Sequence, residues 1–234
     1  MNFLYKIKKK IKSKENFFTR FIYDFIMCLK YLRLPAPRFI FKPLLILHLS
    51  LTRLFRRIIV ALYFQPLFLM YLTNKPKRLR IERSLPFVIG VPIISLGDDC
   101  RFNGSMVISA KSGGTKQPSL IIGNRVGIQF NNQIFIGTEI NIGDDCRLAE
   151  GCVLRGYTGH PVNPERRLLG LAEDSHEFGP ITLKNNVWLG NGVKVNANVT
   201  IGENSVIASG SIVTKDIPDN VLAGGIPAKI IRQI

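Results

Sequence analysis

The sequence predicts a mainly β fold, in which the chain winds into stacked three-sided coils behind an α-helical, basic N-terminal region. The main observation is a six-residue repeat between Leu183 and Ile217. A period of six fits neither an amphipathic helix, which repeats every 3.6 residues, nor a simple alternating strand. It fits one short strand and one turn per side, and each unit can bury its apolar face only against neighbouring coils. An aliphatic residue leads each unit: Leu183, Leu189, Val195, Ile201, Ile207 and Val213.

Charge is the second observation, because it is divided sharply along the 234 residues. Residues 1–86 hold 19 Lys and Arg against 3 Asp and Glu, whereas residues 87–234 hold 13 of each kind. Ten of the 15 Phe also precede residue 87. This division predicts a basic helical region over 1–86, a repeat domain over 87–221 and a C-terminal cap over 222–234.

Within the basic region, apolar residues at helical spacing predict an amphipathic helix over 3–33, which the prolines at 35 and 37 end. Two uncharged runs follow, 43–52 and 58–74. The longer run has 17 residues. As a helix it would reach roughly 25 Å, short of the ~30 Å hydrocarbon core of a membrane. These runs therefore favour seating in the plane of a membrane, or a re-entrant segment, over a span.

Cationic and apolar faces together suit the anionic cytoplasmic leaflet. We therefore predict that residues 1–86 form a peripheral or monotopic anchor at the inner face of the cytoplasmic membrane. The long basic stretch and the lack of a small-residue cleavage site argue against a secretory signal peptide. A helical subdomain that packs on the repeat domain or on a neighbouring subunit is the alternative. Nucleic-acid binding is the weakest interpretation, since no reader motif accompanies the charge.

The cysteines of the repeat domain follow the repeat. Cys100, Cys146 and Cys152 each lie four residues after a lead position, in the slot that Val or Ser fills elsewhere. They are explained as small hydrophobic core residues rather than as disulfide, redox or metal-binding groups. This usage favours a reducing, cytoplasmic setting.

Two interruptions break the repeat. Its phase slips by two residues around Asn131–Phe135, which predicts that Asn131 and Asn132 project from the coil. Between Leu154 and Leu183 the separation is 29 residues, not a multiple of six, so residues 157–179 must leave the coil and return. Long loops expelled from a regular scaffold are often functional.

The repeats and the C-terminal motifs resemble those of the hexapeptide-repeat acyltransferases, close to the galactoside, maltose and polysaccharide O-acetyltransferases. The resemblance covers roughly the last 80 residues closely and the earlier repeats loosely. It does not cover residues 1–86. The motifs that carry it are Thr158-Gly159-His160-Pro161-Val162, Asn185-Asn186-Val187-Trp188-Leu189-Gly190, Gly210-Ser211-Ile212-Val213-Thr214-Lys215-Asp216-Ile217-Pro218 and Ala223-Gly224-Gly225-Ile226-Pro227-Ala228-Lys229.

This resemblance implies a left-handed parallel β-helix, acetyl-CoA as donor, a homotrimer, and active sites in clefts between neighbouring protomers. His160 matches the histidine that acts as general base, a role suited to deprotonating a sugar hydroxyl as it attacks a thioester. His176 is interpreted as a solvated loop residue. No metal is expected.

The remaining site residues are also carried over from the resemblance. Trp188 would line the cleft beside the pantetheine arm and the acceptor, and Asn191 and Ser209 would lie along the arm on successive coils. Asn131 occupies roughly the position of an asparagine that orients the acceptor. Four residues would contact the adenine nucleotide and its phosphates: Thr214, Lys215, Lys229 and Arg232.

The function predicted from these features is acetyl-CoA-dependent O-acetylation of a bacterial surface saccharide, such as a capsule, exopolysaccharide or O-antigen precursor. The acceptor would be lipid-linked or close to the membrane. N-acetylation of an amino sugar or a small aminated acceptor is the alternative. Two less favoured hypotheses are a non-catalytic scaffold and a γ-type carbonic anhydrase. The latter needs three zinc-binding histidines, whereas the repeat domain holds two, His160 and His176.

Overall fold

A computed structural model of the chain describes residues 3–33, 35–111 and 117–234. Contacts divide the chain into two compact units, residues 1–53 and 54–234. The division falls before the predicted boundary at residue 86, because residues ahead of that boundary, such as Phe68 and Ile81, already belong to the core of the coil. The strand Arg80–Glu82 pairs in parallel with Arg101–Asn103.

The N-terminal unit begins with two helices, α1 (Phe3–Ser13) and α2 (Phe17–Lys30), where one continuous helix was predicted. The break between them has a local cause. Lys14 adopts a φ of 52°, outside the helical region, and Asn16 then caps α2. The Asn16 N–H donates to the Thr19 hydroxyl at 3.2 Å, and this hydroxyl donates back to the Asn16 carbonyl at 2.9 Å.

A longer helix, α3 (Arg38–Ile59), begins after the proline-rich segment. It continues through a π-helical turn, Val60–Phe64, into the short α4 (Gln65–Leu69). Among the residues that the structure describes, no helix is both long enough and apolar enough to cross a membrane.

The described residues from 80 onward, 80–111 and 117–234, form the three-sided coil that the six-residue repeat predicts. Within the described ranges the strands form sheets of eight, six and five members, here called sheets I, II and III. Sheet I contains β1 (Arg80–Glu82), β4 (Arg101–Asn103), β7 (Gly127–Ile128), β10 (Arg147–Leu148), β13 (Trp188–Leu189), β16 (Val206–Ile207), β18 (Val221–Gly225) and β19 (Ala228–Gln233). Sheet II contains β2 (Phe87–Ile89), β5 (Val107–Ala110), β8 (Gln133–Ile136), β11 (Val153–Arg155), β14 (Lys194–Asn196) and β17 (Ile212–Val213). Sheet III contains β3 (Ile93–Leu96), β6 (Ser119–Ile122), β9 (Glu139–Ile142), β12 (Ile181–Leu183) and β15 (Val199–Ile201).

The chain visits sheets I, II and III in turn, so that each inward side chain meets its equivalents one coil above and one coil below. Leu154, for example, pairs in register with Ile134 and Val195. Every lead residue of the predicted repeat, from Leu183 to Val213, is at most 1% exposed. This confirms that the lead side chains of the repeat point into the core. At the first coil, Phe68 of α4 is fully buried with its ring edge-on to Phe102 at 6.3 Å.

The corner between sheets III and I is built from residues in the left-handed backbone region. Arg125, Asp145, Asn186 and Asn204 all have φ between 56° and 61°. Asn and Asp tolerate this region better than most residues, since their short polar side chains form local hydrogen bonds. Here the side chains bond along the corner, and Asn186 donates to Asn204 at 3.0 Å. The turn is therefore held by a ladder of polar contacts from coil to coil.

At its C-terminal end the chain extends sheet I with a hairpin. Strand β18 pairs in parallel with β16, and β19 then returns antiparallel to β18. Residues 222–234, predicted as a cap, thus form most of this hairpin.

Three cysteines lie inside the coil as free thiols, as the repeat predicts. Cys100, Cys146 and Cys152 are each at most 1% exposed. Burial raises the pKa of Cys146 and of Cys152 to about 11. These thiols stay protonated at neutral pH, so they serve as packing groups rather than nucleophiles.

We expect an aromatic disulfide reagent at pH 8 to modify Cys28, which is exposed on α2, and to leave the three coil cysteines unmodified until the protein unfolds. For Cys146 and Cys152, with a pKa of about 11, roughly 0.1% of the thiol is ionised at this pH, and burial raises the pKa of Cys100 as well. Thiol titration with and without guanidinium measures this. Cys28→Ser should remove the fast phase, and a second fast thiol in the wild type would contradict the packing.

Candidate active site

The corner between sheets II and III is where the chain departs from its six-residue spacing. Across this corner the step Val195–Ile201 takes six residues, but Ile134–Ile142 takes eight and Leu154–Leu183 takes 29. All of these end residues are buried in the core. The extra residues must therefore project from this corner, and the longest projection is the loop 157–179.

The sequence analysis predicted a phase slip around Asn131–Phe135, and this position is wrong. The two extra residues, Gly137 and Thr138, lie after β8 at the II–III corner. Asn131 does project, with a φ of 59°, from the I–II corner. Asn132 does not project, because it is 1% exposed. Its amide donates to the carbonyls of Gln129 and Ala149 at 2.7 and 3.0 Å, and its oxygen accepts from the Cys152 N–H at 3.0 Å.

The loop 157–179 leaves and re-enters the coil through a narrow neck. Tyr157 and Phe178 form an antiparallel bridge with their rings stacked at 6.0 Å. The Tyr157 ring also meets Phe135 edge-on at 5.8 Å, and its hydroxyl lies 3.0 Å from the Ser109 hydroxyl. Gly179 is required at the re-entry point, since a Cβ there would lie 2.2 Å from the Asn198 side chain. The ends of the loop are thus fixed to the coil.

A buried glutamate closes the loop on itself. The Glu177 carboxylate accepts hydrogen bonds from the Val162 N–H and, at 2.7 Å, from the Asp174 N–H. Val162 lies two residues after His160, so this clasp holds the histidine segment against the returning strand of the loop. Bonds from backbone N–H groups to a carboxylate are about twice as strong as neutral ones.

The short helix α5 (Pro164–Leu168) supports the same segment from the other side. Asn163 caps it, accepting from the Glu165 and Arg166 N–H groups at 2.9 and 3.1 Å. Arg167 then donates to the carbonyls of Pro161 and Val162, both at 2.9 Å. The backbone around the histidine is therefore ordered by capping and by side-chain bonds, without a hydrophobic core of its own.

His160 lies on the outside of this ordered loop with its side chain exposed. The Thr158 hydroxyl donates to the His160 carbonyl at 2.9 Å, which fixes the backbone there. Glu173, on the same loop, is buried. Glu173 pairs with Lys111 at 2.5 Å.

The ion pair keeps Glu173 charged. Burial alone raises the pKa of Glu173, but the hydrogen bond from Lys111, a backbone hydrogen bond and the charges of Lys111 and His160 outweigh it. The pKa of this carboxyl is lowered as a result. The ionised Glu173 therefore adds to the free energy of unfolding at pH values above its unfolded-state pKa. This contribution is lost as the pH falls through the lowered folded-state pKa. At neutral pH Glu173 is therefore a carboxylate.

A cleft of about 620 Å³ opens beside the loop, a size typical of small-molecule sites. Thr158 of the histidine segment borders it, and so does His176, which the sequence analysis set aside. His160 is not among its lining residues. The cleft is bordered by Arg155, Tyr157, Thr158, Val162, His176, Glu177, Asn196 and Ala197.

The two residues predicted to lie along the donor arm, Asn191 and Ser209, share one edge of the coil with Asn131, which was predicted to orient the acceptor. Asn131, Asn191 and Ser209 all lie at the I–II corner, on different coils. Backbone hydrogen bonds link the turns of neighbouring coils, with the Gly210 N–H donating to the Asn191 carbonyl at 2.8 Å. Trp188 precedes this corner on β13 and is 54% exposed. Within one protomer these residues lie at a different corner from His160.

The four residues predicted to contact the nucleotide separate into two pairs. Thr214 and Lys215 follow β17 at the II–III corner, on the same side of the coil as His160. Lys229 and Arg232 lie on β19 of the terminal hairpin. All four are exposed.

Sequence reasoning found the histidines of the loop but missed the acids that organise it. Glu173 and Glu177 lie in the polar segment that leaves the coil, so their acidic side chains could have been identified as candidates from the sequence. Lys111 carried no such signal, because it lies 62 residues before Glu173 and only the pitch of the coil brings the two together.

Comparison with known proteins supports the fold described above. Residues 180–215 match the family described as bacterial transferase hexapeptide (six repeats). Galactoside O-acetyltransferase of Escherichia coli K12 is 48% identical over 113 residues, which cover 48% of this chain and 53% of that protein. A putative acetyltransferase of Saccharomyces cerevisiae is 44% identical over 118 residues, covering 50% of this chain and 57% of that protein. The chain thus spans about half the length of these curated relatives.

Among solved structures, a variant of AntD, an N-acyltransferase from Bacillus cereus in complex with dTDP-4-amino-4,6-dideoxyglucose and coenzyme A, aligns with a TM-score of 0.57. The alignment has 20% identity and covers 72% of this chain and 88% of that chain. Together with the family match, it confirms the fold class predicted above, a left-handed parallel β-helix with helices before it. The resemblance to hexapeptide-repeat acetyltransferases is likewise confirmed.

The clasp can be tested with Glu177→Gln. The amide would turn an N–H group toward one of the two backbone N–H donors, and a lost bond to a buried charged group costs about 1.5–3 kcal/mol. We expect the loop to open roughly ten times more often or more, which trypsin reports as faster cleavage after Arg166 and Arg167. Glu165→Gln, an exposed change on the same loop, is the matched control. Equal cleavage rates for both variants and the wild type would show that the clasp does not hold the loop.

Proposed function

We propose that this chain transfers the acetyl group of acetyl-CoA to a hydroxyl of a bacterial surface saccharide, with His160 as the general base. The single observation that carries the proposal is the exposed His160 on a rigid, clasped loop at one corner of a hexapeptide coil. The sequence similarity to galactoside O-acetyltransferase supports the reaction type.

In the proposed reaction, a ring nitrogen of His160 takes the proton of the acceptor hydroxyl. The hydroxyl oxygen attacks the thioester carbonyl carbon, the carbon–sulfur bond then breaks, and the imidazolium returns its proton to the leaving sulfur. A base held in place in this way contributes about 10²–10⁴-fold. Backbone N–H groups at a coil corner would stabilise the oxyanion, since they are fixed before the reaction begins.

We further propose that the site is completed between protomers of a homotrimer. The arm residues Asn191 and Ser209 belong to the I–II corner, whereas His160 belongs to the II–III corner. Two corners of one prism cannot face each other. A neighbouring protomer can bring its I–II corner against the His160 loop, and threefold symmetry would then form three equivalent sites.

The base assignment is tested by His160→Ala, with His176→Ala as the matched control. We expect His160→Ala to lower kcat by about 10²–10⁴-fold, because the acceptor proton loses its base, and His176→Ala to stay within a few-fold of the wild type. The assay follows release of the coenzyme A thiol with p-nitrophenyl β-galactoside as acceptor. Sedimentation should find three chains per particle in both variants.

Four results would count against this proposal. Full activity in His160→Ala, or loss of activity in His176→Ala instead, would refute the base assignment. A monomeric wild type would refute the inter-protomer site. Acetylation of glucosamine without acetylation of the galactoside would show that the acceptor group is an amine rather than a hydroxyl.

For the N-terminal unit, we propose association with an anionic membrane surface. Residues 1–53 hold 12 Lys and Arg against 2 Asp and Glu. Apolar side chains are left in solvent, with Phe17 87% and Phe39 79% exposed, and among the described residues of α3 none is buried. Burying one such side chain is worth about 1.5–3 kcal/mol. The unit thus combines charge for an anionic surface with apolar groups to insert below it.

Flotation of the full chain with vesicles tests this. We expect binding to vesicles of phosphatidylglycerol and phosphatidylcholine at physiological salt, and weaker binding to pure phosphatidylcholine. Lys9→Glu with Lys10→Glu should reduce binding at least ~10-fold, since each basic residue near the surface contributes about 1 kcal/mol. Lys184→Glu with Lys194→Glu on the coil changes the net charge equally and should have no such effect. Equal binding of both double variants would exclude α1 as the contact.

A further inference from the structure

Arg155 brings a positive charge to the wall of the cleft beside the loop 157–179. It is the last residue of β11, and its side chain is exposed on the outer face of sheet II. Phe135 lies in register with it on one neighbouring strand, and Asn196 lies in register on the other. The guanidinium carbon is 5.7 Å from the centre of the Phe135 ring, within the range of a cation–π contact. This contact supports the guanidinium at the border of the cleft.

Within the described ranges, the Arg155 guanidinium has no carboxylate partner. It forms no salt bridge there, whereas Arg125 on an earlier coil pairs with Asp145 at 2.7 Å. The residues that fall outside those ranges include no Asp or Glu. The charge of Arg155 is therefore not neutralised by an acidic side chain in contact with it.

Glu177 also borders the cleft, but its carboxylate is already engaged. It is buried, and its two oxygens accept from the backbone N–H groups of Val162 and Asp174. The Asn196 amide and the His176 ring, which are both exposed at the cleft, can donate hydrogen bonds to a ligand. The groups that a ligand meets here therefore favour an anion over a cation.

The shape of a guanidinium narrows the choice of anion. Contact with an aromatic ring involves its flat face, whereas its five N–H groups lie in its plane and stay available. Two of these N–H groups match the spacing of the two oxygens of a carboxylate, so that Arg and a carboxylate form parallel hydrogen bonds. A guanidinium that is supported before the ligand arrives also loses less side-chain entropy on binding. Arg155 is thus suited to a ligand carboxylate.

The cleft borders the segment that carries the proposed base. Thr158 and Val162 lie two residues before and two residues after His160, and both line the cleft. A saccharide whose hydroxyl reaches His160 can therefore extend its other substituents into the cleft. Arg155 lies on the coil side of that space, at the start of the loop.

We propose that the acceptor saccharide is acidic, and that Arg155 binds a sugar carboxylate in this cleft. The proposal rests on the assignment of His160 as the base at the acceptor site. It narrows the acceptor class from saccharides in general to those that contain a uronic acid or another carboxylated sugar.

Ligand-observed NMR titration of the full chain, with coenzyme A present, tests the preference without turnover. The probes are matched pairs of methyl glycosides that differ only at C6: galactoside and galacturonide, glucoside and glucuronide, mannoside and mannuronide. We expect the acidic member of at least one pair to bind at least ~10-fold more tightly than the neutral member, because it gains two charge-assisted hydrogen bonds. Arg155→Gln should abolish this preference and leave binding of the neutral member within a few-fold of the wild type.

Two variants serve as controls. Lys194→Gln removes a positive charge from the same face of sheet II, but Lys194 does not line the cleft. It should keep the preference, which separates a direct contact from the general field of the coil. His160→Ala should keep it as well, since the base takes the acceptor proton and does not bind the carboxylate.

Equal binding within every pair, or no binding of any of the six glycosides, would overturn the proposal. So would a preference that survives in Arg155→Gln, and weaker binding of coenzyme A by that variant would then assign the guanidinium to a donor phosphate. Equal loss of the preference in Lys194→Gln would exclude a direct contact. A wild type that transfers no acetyl group would instead defeat the proposed function, and the binding result would still stand.

Discussion

The structure depends on one constraint, the stacking of inward side chains in register from coil to coil. Leu154 meets Ile134 on one side and Val195 on the other, and the pattern repeats along all three sheets. A residue inserted inside a strand would turn the following side chains to the wrong face. Extra residues can enter only at corners, and the II–III corner accommodates both Gly137–Thr138 and the loop 157–179. The position of the candidate site thus follows from the packing of the core.

Rigidity in the loop comes from a different source than rigidity in the coil. The coil is held by apolar contacts, while the loop is held by buried carboxylates that accept from backbone N–H groups and from Lys111. Such bonds are directional, so they determine the course of the backbone as well as its stability. A side chain carried on a backbone supported in this way, as His160 is, can remain exposed while its backbone keeps a defined position.

Most of the coil could be predicted from sequence because its signal is periodic. The lead residues of the repeat are all buried, and the buried cysteines occupy repeat slots as expected. The structure differs from the prediction where a feature depends on local hydrogen bonds or on contacts with distant residues. The break at Lys14 depends on the capping of Asn16, and the burial of Asn132 depends on carbonyls of two different coils. Neither is visible in apolar spacing.

For the site, motif resemblance led to His160, whereas the pairing of Lys111 with Glu173 had no counterpart in the linear sequence. Two residues 62 positions apart become neighbours because the coil advances by one layer per turn. Pairings of this kind can be obtained only from coordinates.

Because projections from one corner stack on each other, the loop 157–179 is not an independent module. Its acid Glu173 is neutralised by a lysine of an earlier layer. A graft that replaced this loop alone would leave Lys111 without its counter-ion and would strip the incoming segment of its anchor. An exchange of this loop would therefore have to include residue 111, which follows a strand two places away from β11 in sheet II, if the ion pair is to be kept.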